Sequence, residues 1–152
     1  YIDTHVRNLM KPGVACTFSL WSFIPDKRHS RLGLWLYECL RDLHLSIQAI
    51  KRPELCVRGM TFGFNTELGR LFGFRTDIRR GEDGSLALAM KPYGRLIFIT
   101  SRKARALTSN STIDADGSLA RSFGVRLLKA LKGATGLLYK KTTYKDKDSN
   151  LL

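Results

Sequence analysis

Acidic side chains are scarce in this chain: 13 Asp and Glu stand against 26 Lys and Arg among 152 residues, a formal net charge of +13. The sequence pI is near 10.1. Such a field attracts polyanions: nucleic acid, an anionic membrane surface or a phosphorylated small molecule. The excess is uneven, +5 over residues 1–92 (14 basic, 9 acidic) and +8 over the shorter stretch 93–152 (12 basic, 4 acidic).

Long apolar runs are missing as well. The richest stretch, Val14 to Ile24, is broken by Thr17, Ser19 and Ser22 and falls short of the roughly 20 residues that a transmembrane helix needs. No secretory signal pattern is visible. The three cysteines (Cys16, Cys39, Cys56) form no C-x-x-C pair, and His5, His29 and His44 stand in unrelated settings. Neither a disulfide framework nor a metal site is expected. Buried thiols in a reducing compartment are, and with them a cytoplasmic location. The chain shows no internal repeat, and its start at Tyr1 rather than Met points to a fragment or a processed piece.

What is present is enough for a core: 43% hydrophobic and 10% aromatic residues suit one domain, or one with an appendage. Residues 1–13 are polar and end in a Lys11-Pro12-Gly13 turn. Residues 14–24, β-branched and aromatic, read as a buried strand. A basic loop follows, and then Leu32, Trp35, Leu36, Cys39, Leu40 and Leu43 recur with helical period. They predict an amphipathic helix of about three turns, capped by Ser30, with the stripe inward and Glu38, Arg41 and Asp42 on its wet face. Further on, the pattern predicts a strand at 55–60, a helix at 66–72 between Asn65 and Gly73, and a turn at 81–84. It also predicts strands at 85–91 and 95–100, a loop over 101–117 and a basic helix over 118–140 before a frayed tail. Phe62, Phe64, Phe72 and Phe74 read as core. The basic helix fits a phosphate backbone, an anionic bilayer or an ordinary solvated face.

The chemistry concentrates where strand 14–24 passes through a basic loop into the helix. The first turn of a helix leaves backbone N–H groups unpaired at its positive dipole end, so an anion lodges there. Lys27, Arg28 and Arg31 add attraction, and Gly33 lets the backbone approach a ligand without a Cβ in the way. The run Ile24-Pro25-x-x-Arg28-x-x-Arg31-x-Gly33-x-x-Leu36 resembles the acetyl-CoA pyrophosphate loop of the GNAT superfamily of N-acetyltransferases. Gly73-Phe74, forty residues after Gly33, resembles the family's G-F, and Asp83 to Pro92 resembles its closing strand; the likeness covers about residues 14–92.

The resemblance implies an α/β (α+β) acyl-CoA N-acyltransferase-like fold, a mixed sheet with flanking helices and a basic C-terminal helix. Residues 14–100 would form the acyl-CoA-binding half, and 101–152 a basic loop, helix and tail. It also implies an acyltransferase moving an acyl group from acetyl-CoA or another acyl-CoA to an unidentified amine acceptor, without a metal. The pantetheine would run along main-chain groups of Phe23 and Ile24, and the pyrophosphate would sit on the amides of Arg28, His29, Ser30, Arg31, Leu32 and Gly33. Arg31 stands where the family has its first loop glycine, and Gly69 where a tyrosine general acid often sits. Strand 14–24 offers no carboxylate base, so no catalytic residue is assigned. The alternative reading is a non-catalytic basic protein that binds nucleic acid, alone or as a subunit of a larger ribonucleoprotein assembly.

Overall fold

The computed structural model of the chain describes residues 1–78, 81–115, 117–124 and 128, and of Thr112 the backbone alone. These residues build an α+β fold, a small mixed sheet flanked by helices. Strand β1 (Val14–Ser19), buried at every position, is the central strand. On one side lies β3 (Phe62–Phe64), antiparallel, with Cys16 opposite Phe64. On the other lies β4 (Arg95–Ile99), parallel, with Phe18 opposite Phe98. Leu20 alone separates β1 from β2 (Trp21–Phe23), which pairs in parallel with β5 (Ala106–Thr108) as a second, two-stranded sheet. The apolar run 14–24 is therefore two strands in two sheets.

Helix α1 (Ile2–Leu9) packs on β1 through its one buried residue, His5, whose Nδ1 and Nε2 lie 2.9 Å and 3.2 Å from the hydroxyls of Thr17 and Ser19. The polar stretch 1–13 is thus mostly helix. The main core gathers Ala15, Cys16, Phe18 and Leu20 of the central strands with Leu45, Cys56, Val57, Leu86, Ala87 and Met90. A second cluster unites Phe23, Leu34, Tyr37 and Ile113, with Leu119 and Phe123 packed against it.

Several elements follow the sequence pattern. Helix α3 (Thr66–Phe72) starts at Asn65, whose side-chain oxygen accepts from the amides of Glu67 and Leu68, and stops at Gly73 with φ 64°. The strand expected over 95–100 is β4. Others differ. The strand expected at 55–60 is replaced by 3-10 turns, Pro53–Cys56 and Gly59–Thr61. The turn at 81–84 and the strand at 85–91 are together helix α4 (Glu82–Met90), which opens after Gly81 at φ 87°. Its Leu, Ala and Met content favours helix, and a short apolar run does not distinguish strand from buried helix. The loop expected over 101–117 holds a 3-10 turn (Arg102–Ala104), β5 and a short helix α5 (Ser111–Ala115). Of the helix expected over 118–140, residues 119–124 and Leu128 are helical. Ser118 is a bend whose hydroxyl accepts from the Arg121 amide, and the remaining residues of that helix and the tail after it lie outside the described residues.

Helix α2 (Arg31–Lys51) is 21 residues long, well beyond the three turns expected, and is capped by Ser30 as anticipated. It is also turned over. Its buried residues are Leu34, Tyr37 and Leu45, while Leu32, Trp35, Leu36, Leu40 and Leu43 are 46–67% exposed. The apolar stripe read as the inner face is the outer one. The supposed wet face looks inward. Glu38 accepts from the Phe23 amide at 2.7 Å and from the Ser22 hydroxyl at 3.1 Å. Asp42 receives Arg105 at 2.5 Å and Arg41 at 2.7 Å. Arg41 in turn bonds the Trp21 carbonyl and stacks over its indole, 4.3 Å from the centroid. Period fixes which residues share a face; the countercharge on Arg105 and the free amide of β2 decide which face is covered.

This arrangement predicts an inverted pattern of mutational cost. Arg105→Met takes one of two cations from Asp42 and the cation 3.6 Å from Glu38, and is expected to cost about 3 kcal/mol, whereas Leu40→Ala, on the apolar stripe, is expected to cost less than about 1 kcal/mol. Urea melts of the two variants against the parent chain check this.

Candidate anion-binding site

The loop from Ile24 to Ser30 leaves β2 and delivers the chain to the first turn of α2. Asp26 organises it. Its Oδ1 accepts from the amides of Arg28 at 2.9 Å and His29 at 2.8 Å, and the His29 ring nitrogen Nδ1 lies 3.0 Å away. Asn110, buried at the start of α5, donates to Asp26 Oδ2 at 2.8 Å and to the Ile24 carbonyl at 2.9 Å, tying the loop down. The bond from Asn110, joined by those from the His29 and Arg28 amides and the His29 ring, pulls the Asp26 pKa down to about 2. Asp114 of α5 stands 3.7 Å from His29 Nε2, so this imidazole, 9% exposed, lies between two carboxylates.

The eight residues expected to hold a CoA-like ligand divide into two groups. Phe23 donates its amide to Glu38, and Ile24 donates its own to the Thr108 carbonyl at 2.9 Å. Arg28 and His29 spend theirs on Asp26, and Gly33 donates to Ser30 Oγ at 3.0 Å. These five amides are engaged within the chain. Three remain: among the described residues the amides of Ser30, Arg31 and Leu32 have no hydrogen-bond partner, and all three residues are exposed. The role expected of Gly33 also changes. A Cβ there would meet Ser30 Oγ at 2.8 Å, so the missing side chain makes room for the helix cap rather than for a ligand.

Next to the three open amides in the chain are exposed Lys27, Arg28 and Arg31, with no salt bridge to any described residue. Leu119, next to Gly33, brings the helical turn carrying Arg121 to the same end of α2. The site is a run of exposed cations leading into a helix start. Its acid–base groups, Asp26 and His29, are bound to one another and to the chain. Two features were missed in the sequence: Asp26 as a resident anion and Asn110 as its anchor. Pro25-Asp26 followed by amides two and three residues on is an Asx-turn signal, and it was legible; Asn110, 84 residues away, left no such trace.

Comparison with known proteins adds no relative: no family model, no curated protein and no solved structure matches this chain. The three cysteines are free thiols. Among the described residues no group of three or more His, Cys, Asp or Glu is placed to hold a metal ion, and no helix is long and apolar enough to cross a membrane.

The low pKa of Asp26 carries a sign. A carboxyl whose folded pKa lies below its usual 3.8 stabilises the fold above that value and loses its contribution as pH falls through about 2. A carbon-detected NMR titration is expected to place the Asp26 midpoint near 2, with the Arg28 and His29 amides losing exchange protection in step.

Proposed function

We propose that this chain is a non-catalytic basic protein that grips the phosphate backbone of nucleic acid, with the strand-to-helix loop as one contact. The observation that supports this reading is the loop itself: exposed Lys27, Arg28 and Arg31 lie next in the chain to the open amides of Ser30, Arg31 and Leu32, while Asp26 and His29 are tied up. Such a surface holds phosphate oxygens through cations and helix-start amides. Among the described residues its acid–base groups, Asp26 and His29, are already bonded within the chain. The formal charge of +13 supplies the long-range attraction that a polyanion needs.

A second reading keeps the resemblance to the GNAT superfamily: an acyltransferase taking an acyl group from acyl-CoA to an amine. What favours it is position. The three open amides lie beyond the C-terminal end of β2, which is paired in parallel with β5, where α/β folds commonly bind phosphate-bearing ligands. Against it stand the engaged amides of Phe23 and Ile24, and helix α4 where the likeness called for a closing strand.

One pair of titrations separates the two. Binding of a labelled single-stranded RNA is expected to weaken steeply with salt, and Lys27→Gln, Arg28→Gln, Arg31→Gln together are expected to flatten the log–log slope by about 2. Calorimetry with CoA is expected to show no saturable heat. Saturable CoA binding with salt-insensitive, negligible RNA binding would reverse the choice.

A further inference from the structure

Helix α2 displays an apolar seam to solvent from end to end. From Leu32 the exposed positions continue through Leu36, Leu40 and Leu43 to Ile47 and Ile50, the last 80% exposed. Steps of three and four residues keep them in one stripe along a helix of 21 residues, about 30 Å long. Monomeric proteins rarely leave so continuous an apolar patch open, and where they do it marks an interaction site. The helix cannot roll to hide it, because Glu38, Arg41 and Asp42 on the opposite face are bonded to β2 and to Arg105.

The charges around the seam select the occupant. Every acidic residue of α2 is turned inward; its only exposed charges are Arg31 and Lys51, one at each end, and Lys27 and Arg28 precede the first. A second copy of this chain would set +13 against +13, with cations at both ends of the seam. A lipid surface is a poor match too: interfacial helices carry their basic residues along the polar face, and here that face is buried in the protein. We infer that the seam is the docking site for an amphipathic helix of another protein, with an apolar stripe of matching period and acidic residues at its ends. Knobs of the partner pack between the leucines, and its carboxylates meet Arg31 and Lys51. This inference rests on the seam and uses none of the three open amides, and it shares only the Arg31 cation with the nucleic-acid reading.

The probe is a synthetic helix as long as α2, with Leu at seam spacing and Glu at both ends, titrated against the full chain by fluorescence anisotropy. Two control peptides carry Lys for Glu, or Ser for Leu. Cys39, exposed on the seam, reports occupancy, because Cys16 and Cys56 are buried. The acidic peptide is expected to bind and to shield Cys39 from a thiol reagent, with each control weaker by about tenfold or more. Leu36→Glu with Leu43→Glu, or Ile47→Glu alone if the pair fails to fold, is expected to weaken binding by about the same factor with unchanged circular dichroism. Four results overturn the inference: equal or absent binding of the acidic and basic peptides; a sedimenting dimer that cross-links through Cys39; uptake on phosphatidylserine vesicles that the peptide does not compete; or a monomer whose Cys39 is unreactive before any peptide is added.

Discussion

The ion cluster of Glu38, Asp42, Arg41 and Arg105 decides how this molecule is put together. Four charges withdrawn from water are expensive, and they are tolerated because each finds a partner. Glu38 takes the Phe23 amide and the Ser22 hydroxyl, Asp42 takes both arginines, and Arg41 rests on the Trp21 indole. The cluster joins the consecutive elements β2 and α2 to Arg105, which immediately precedes β5 and lies 63 residues beyond Asp42, and holds them in one orientation. Two consequences follow. The loop between β2 and α2 is pinned at both ends, and its cations Lys27, Arg28 and Arg31 are exposed. The apolar side of α2 is left with nothing of the described chain to cover it.

The anion site is narrower than a strand–loop–helix pattern suggests. Helix starts bind anions because their amides are unpaired, and here the chain has supplied an anion of its own. The Asp26 carboxylate takes two amides and Ser30 takes a third. What is left open, the amides of Ser30, Arg31 and Leu32 with three exposed cations nearby in the chain, suits phosphates met one at a time along a backbone. It suits less well a diphosphate wrapped by six consecutive amides. The charge imbalance of the chain points the same way.

Local features were readable from the sequence where a single residue type enforces a geometry. Ser30 and Asn65 cap helices as their side chains require, and Gly73 stops α3 at a positive φ. Strand β4 announced itself by its β-branched and aromatic run. What was not readable depended on distant partners. The stripe Leu32 to Leu43 gave the period of α2 correctly and its orientation wrongly, because the sequence around it does not reveal Arg105, 63 residues beyond Asp42. Residues 86–90 are a short apolar run that a strand would also allow, yet Leu86, Ala87 and Met90 are buried together on α4. At the loop, the cations were legible and the resident anion's anchor, Asn110, was not.

The orientation of α2 carries both the loop and the seam, and adjacent aromatic side chains report it. Trp35 is 51% exposed on the apolar seam and Tyr37 is 4% exposed on the charged side. Hydroxyl-radical footprinting of the native chain, read by mass spectrometry, is therefore predicted to oxidise Trp35 readily while Tyr37 stays protected until the fold melts. Rapid oxidation of Tyr37 with a protected Trp35 would mean that the leucines face the core after all, and would contradict this account.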